Sequence, residues 1–171
     1  MIVVTAVSRN AAYGIGFTDA VCLLFIYLVP ALSHALSVPL YLLDPMRLAV
    51  LGALLVTGNW KNSLILAITL PFFSALLGMH PVFPKCLLIA IELSVNVLLF
   101  IWLSRAFGRS RAASGLAVFV SILLSKGLYY GLKALVLSAG LLQMDLVSTA
   151  PMIQLAVALL ISLGFAIWWK K

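Results

Sequence analysis

Four ionisable side chains stand inside long apolar stretches of the chain: Asp19, Glu92, Lys126 and Lys133. Charge at such positions costs several kcal/mol in a membrane unless it is paired or hydrated, so each is a functional candidate. Lys126 and Lys133 are seven residues apart and share a helix face, with Tyr129 and Tyr130 between them. Counted along antiparallel helices from one membrane face, Glu92 lies about 15 Å deep, Lys133 about 10 Å and Lys126 about 20 Å. Glu92 is thus within reach of either lysine. Two readings stand side by side. In one, Glu92 and one lysine form a pair that joins two helices. In the other, Lys126, Lys133, Tyr129 and Asn96 line a hydrated cavity for a polar solute, with Glu92 at its wall and Gln154 near its rim. A single pair leaves the second lysine unexplained, which favours the cavity. Two lysines against one glutamate also leave positive charge over, which favours a carboxylate or phosphate on the solute.

Other chemistry is poorly served. His34 and His80 fall in expected loops beside Pro30 and Pro81, and no HExxH or comparable spacing joins them to Asp44 as a metal site. Cys22 and Cys86 lack CxxC or Cys/His spacing and read as small buried apolar residues. No nucleophile, base and orienting group fall together, so an enzyme is not expected, and no cofactor is implied. The chain has no GxxxxGK[ST] and is not itself an ATPase.

The elements that must hold these residues follow from composition. Of 171 residues, 65% are hydrophobic and 9% charged, and mean hydropathy is +1.24. Soluble domains run near 45–50% apolar and about 25% charged. In lipid every backbone polar group must be satisfied internally, which leaves helices or closed barrels. The apolar runs are continuous rather than alternating, which selects helices. We expect an all-α membrane protein of six spans in one domain, residues 1–171, at about 11–29, 38–58, 61–78, 82–104, 113–140 and 151–169. The first span ends ahead of Pro30. The second begins at Asp44-Pro45, an N-cap with proline at the first helical position, and ends at Gly58. That helix is only about 20 Å long, so 38–43 is expected to extend the crossing as a packed loop. Pro71 is expected to kink the third span.

Arg9, Lys61, Arg105, Arg109, Arg111, Lys170 and Lys171 fall on one side of this model, and only Arg47 and Lys85 on the other. Seven against two places both termini in the cytoplasm. Trp168 and Trp169 before the final lysines resemble an interfacial anchor. The net charge of +7 is therefore a matter of topology, and nucleic acid is not an expected partner. The opening MIVVTAVSRNAAYG is too short in its apolar part to read as a secretory signal. Small residues recur every fourth position at Ala12, Gly16 and Ala20, a stripe that permits close approach of another helix.

The run Pro45-Met46-Arg47-Leu48, then Gly58, Pro71, Ser74, Gly78, His80-Pro81 and Glu92-Leu93 resembles the substrate-binding S components of energy-coupling-factor (ECF) vitamin transporters, over roughly residues 28–105. Asn96 stands where that family often has glycine. The resemblance implies a six-helix subunit of a bacterial or archaeal cell membrane that captures a vitamin or related micronutrient from outside. It implies a membrane T component and two cytoplasmic ABC ATPases as partners, with Ala12, Gly16 and Ala20 on the docking helix. It places the pocket among outer loops and outer helix halves, which brings in His80 beside Glu92, Asn96, Lys126, Tyr129, Lys133 and Gln154. A rival reading is a proton-coupled secondary transporter built as an inverted repeat. Asp19 in span one and Glu92 in span four would then be equivalent, although spans two and five show no matching pattern.

Overall fold

In the computed structural model of the chain, residues 9–77, 83–108, 110–140, 145–147 and 150–168 are described. His80, Arg109, Trp169, Lys170 and Lys171 lie outside them, as does the side chain of Ala12.

The described residues form six α-helices and one 3-10 turn, and no strand occurs among them. The helices are α1 (Arg9–Leu36), α2 (Pro45–Thr57), α3 (Trp60–Leu76), α4 (Phe83–Phe107), α5 (Arg111–Ser138) and α6 (Pro151–Trp168). The 3-10 turn, Leu40–Leu43, lies between α1 and α2. Among the described residues, four segments are long and apolar enough to cross a membrane: Tyr13–Leu36, Phe83–Phe107, Arg111–Ser138 and Pro151–Trp168. α2 and α3, with 13 and 17 residues, are shorter. At about 1.5 Å per residue, α2 extends about 20 Å and so falls short of a hydrocarbon core of about 30 Å.

Three local features depart from expectation. α1 does not end before Pro30 but runs through it to Leu36. A proline removes one intrahelical hydrogen bond without interrupting the apolar surface, and Ile26 and Val29 stay buried in the turn before it. The helix stops instead at Ser37, whose φ of 52° is left-handed. Asp44 does precede Pro45, but it adopts φ 53° and its side chain makes no capping hydrogen bond. The carboxylate is directed elsewhere, as described below. Within the 38–43 segment the 3-10 turn, Leu40–Leu43, packs on α1, α2 and α6, yet none of its residues is buried.

Other boundaries carry ordinary signals. Gly58, φ 63°, ends α2 with its N–H donated to Leu54 O. Asn59 Oδ1 accepts from the N–H groups of Lys61 and Asn62 at the start of α3, and Ser110 Oγ accepts from Ala113 N at the start of α5.

α4 packs between α3 and α5, and α6 packs on α5. One core joins α1 to α4 through residues such as Ile26, Val50, Leu70 and Val97. A second joins α2, α4, α5 and α6 through Leu54, Phe100, Ile122 and Phe165, with the Phe100 and Phe165 rings edge-on at 5.0 Å. α5 and α6 touch backbone to backbone at Gly115. A Cβ there would lie 2.8 Å from Ala166 Cβ and 3.1 Å from Ser162 O. Cys22 and Cys86 are buried, as small apolar residues should be. Large apolar side chains such as Tyr13, Phe17, Trp102 and Leu160 stand exposed around the bundle, the surface that lipid would solvate.

Candidate functional site

α2 begins at Pro45, within one turn of Arg47. From the Phe83 end of α4, Glu92 is about 14 Å along the helix, and from the Ser138 end of α5, Lys126 is about 18 Å along it. Three helices thus deliver charge to one place. Arg47 Nη2 donates to Glu92 Oε1, and Arg47 Nε lies 3.3 Å from Asp44 Oδ2. Lys126 Nζ lies 3.1 Å from Asp44 Oδ2 and 3.2 Å from Glu92 Oε1. Each cation therefore touches both anions, and the four formal charges cancel. Asp44 turns away from its own helix terminus because two cations compete for it.

Burial is graded across the network. The Asp44 and Lys126 side chains keep 25% and 24% of their exposure, whereas Glu92 keeps 5% and Arg47 1%. The network has an accessible mouth and an enclosed base. One helical turn beyond Glu92, fully buried Asn96 continues the polar face of α4. Its Nδ2 donates to Ser121 Oγ on α5 at 3.0 Å.

The remaining expected residues gather near the same end of α5. Lys133 is fully buried, but it does not reach Glu92. Its ammonium donates to the carbonyls of Asp145 and Leu146 at 2.6 and 3.0 Å and so ties the α5–α6 connection to α5. Tyr129 stands between the two lysines, with each Nζ 6.0 Å from its ring centroid. Tyr130 packs edge-on against Tyr129 at 5.4 Å and accepts a hydrogen bond from Gln154 Nε2 on α6. The structure thus resolves the choice left open for Glu92 in favour of Lys126. The expectation of surplus positive charge rested on Lys126 and Lys133 outnumbering Glu92. Asp44 and Arg47 add one charge of each sign to that count, and the cation left over is Lys133, whose ammonium is held by main-chain carbonyls rather than by the network.

Arg47 is the functional candidate that sequence reasoning missed, since it was counted among loop cations. The signal was present in the shortness of α2. An apolar helix of only 13 residues packed among longer ones buries its own start, and that start carries Asp44 and Arg47 at i, i+3.

Asp19 lies apart from the network. It accepts a hydrogen bond of 2.6 Å from Asn62 Nδ2 on α3, so its charge is engaged within the bundle. Gly16 and Ala20 are exposed on α1, and a Cβ at Gly16 would meet nothing within 4 Å. No group of three or more His, Cys, Asp or Glu that would hold a metal occurs among the described residues. A groove of about 300 Å³ runs between α2 and α6, lined by apolar residues that include Leu48, Leu55, Ile161 and Trp168. None of the network residues lines it.

Comparison of the chain with protein-family models, with curated proteins and with solved structures found no match.

Proposed function

We propose that the chain is the membrane-embedded substrate-binding subunit of an ECF-type importer in a bacterial or archaeal cell membrane. It captures a small vitamin-like micronutrient from outside and delivers it with a membrane T component and two cytoplasmic ATPases. The observation that carries this reading is the Asp44–Arg47–Glu92–Lys126 network. Four charges drawn from three elements are costly to gather inside a membrane protein, and intramembrane charges of this kind mark substrate pathways. A purely structural clamp would need no partly exposed mouth. In this reading all six helices take part in the crossing, α2 and α3 completed by their flanking segments, with both termini inside. The network then opens outward, with Tyr129, Tyr130, Gln154 and Lys133 at the same end.

Docking to the T component falls to α1, whose exposed Gly16 and Ala20 permit close helix approach. Asp19 does not obstruct that face, because it is turned to Asn62. The test is affinity purification of the tagged chain from its own host in mild detergent. A T component and two ATPases should accompany the native chain and be lost from the Gly16→Leu/Ala20→Leu variant. Recovery of the same partners with that variant removes α1 from the docking role, and their absence from the native preparation removes the ECF reading. The self-sufficient, proton-coupled carrier would then take its place, with Asp19 and Glu92 as its carboxylates.

A further inference from the structure

Three buried polar atoms at the base of the network have no hydrogen-bond partner among the described residues: Arg47 Nε and Nη1, both donors, and Asn96 Oδ1, an acceptor. Nε faces Asp44 Oδ2 in the ion pair at 3.3 Å, which leaves Nη1 and Asn96 Oδ1 facing no counter-group. The orientation of the Asn96 amide is settled by its neighbour. Ser121 Oγ spends its single hydrogen on Val118 O at 2.8 Å, so it accepts from Asn96 and must face the amide nitrogen. Asn96 Oδ1 therefore points away from Ser121 as a true acceptor. Glu92, which Arg47 grips, and Asn96 are four residues apart on α4 and share one face. The groups that carry the two orphan atoms are thus attached to α4 one helical turn apart, Arg47 through Glu92 and Asn96 directly, and both are more deeply buried than Asp44 and Lys126.

On the basis of the substrate-binding reading above, we propose that Arg47 Nη1 and Asn96 Oδ1 recognise an uncharged ligand through an –NH–C(=O)– edge, as in a cyclic amide, a ureide or a carboxamide. The ligand carbonyl accepts from Arg47 Nη1, and the neighbouring N–H donates to Asn96 Oδ1. One edge satisfies both orphans, which an anion with acceptors only cannot do. The charge balance agrees. Asp44 and Glu92 already neutralise Arg47 and Lys126, so a carboxylate added at the base would be left uncompensated where ionised groups are costly. Lys133 does not supply the missing cation, because two main-chain carbonyls hold its ammonium. This reverses the expectation of an anion drawn from the sequence.

The experiment extracts the small molecule retained by the chain purified from its host in mild detergent. Mass spectrometry identifies it, and anion- and cation-exchange retention at pH 7 classifies its charge. Asn96→Leu, Arg47→Lys and, as a control for loss of a buried amide elsewhere, Asn62→Leu are treated alike, and their thermal melting is recorded. Uracil and nicotinamide, each against its carboxylate counterpart orotate or nicotinate, are also tested for a rise in melting temperature. The expected result is a neutral molecule with an amide or ureide edge, kept by Asn62→Leu. It should be lost at least about tenfold by Asn96→Leu and Arg47→Lys, both still folded. An organic ion in the extract overturns the proposal, as does equal retention by Asn96→Leu. An empty native protein that neither uracil nor nicotinamide stabilises also overturns it, and leaves the two atoms to an ordered water. Partner recovery decides the importer reading separately. A neutral amide without ATPases keeps this inference and sinks that reading, and ATPases with a bound anion do the reverse.

Discussion

Removing Arg47 and Glu92 together should destabilise the bundle by less than the sum of the two single removals. Arg47→Met leaves Asp44 and Glu92 with Lys126 alone, two negative charges against one positive. Breaking a buried ion pair by deleting one partner costs about 3–5 kcal/mol. Here Lys126 remains 3.1 and 3.2 Å from the two carboxylates, and Asp44 keeps a quarter of its exposure, so the lower end applies, about 3 kcal/mol. Glu92→Leu leaves the opposite imbalance at a similar cost. The double variant retains Asp44 and Lys126, one balanced pair, and should cost no more than either single change. Independent sites would sum to about 6 kcal/mol, so the expected coupling is about 3 kcal/mol. Equilibrium unfolding of the purified chain in mixed micelles, followed by tryptophan fluorescence, measures all three variants. Additive losses would show that the two side chains do not share a charge balance, and the network would have to be abandoned as a unit.

At the α5–α6 crossing, Gly115→Ala brings a Cβ to 2.8 Å from Ala166 Cβ and should cost about 1–3 kcal/mol by overpacking. Gly164→Ala, which meets nothing within 4 Å, should leave the same unfolding midpoint unchanged. Lys133→Met removes two charged hydrogen bonds to Asp145 O and Leu146 O. It should cost about 2 kcal/mol and speed amide hydrogen exchange and proteolysis at 145–147, whereas unaltered protection there would deny Lys133 its tethering role. For topology, single cysteines at the exposed positions Asp145 and Arg111 should react with a membrane-impermeant maleimide from opposite sides, Asp145→Cys from outside. The native thiols at Cys22 and Cys86 are buried and should contribute little background.

Much of the architecture was legible because long, continuous apolar runs follow a simple code. Long apolar runs that must satisfy their own backbone become helices, and Gly58 marked an end that the structure keeps. Pro30 misled, since proline breaks a hydrogen bond more reliably than it breaks a buried helix. The site was partly legible. Glu92, Asn96 and Lys126 announced themselves as polar residues in apolar spans, and seven-residue spacing put Lys133 on the face of Lys126. What spacing could not convey was pairing across helices. Lys133 and Lys126 look equivalent along α5, yet one meets carbonyls of the α5–α6 connection and the other meets two carboxylates. Arg47 was obscured by its position near a helix start, where charge normally means a loop, and only packing against Glu92 and Asp44 makes it an interior residue. Asp19 was unexpected in span one for want of its partner, Asn62, which lies 43 positions away.

The proposed importer subunit is tested most directly by native mass spectrometry of the untreated complex released from host membranes in gentle detergent. The account predicts a mass equal to this chain, one further membrane subunit and two ATPases. A bare chain or a homodimer, reproduced across several such detergents, would contradict it.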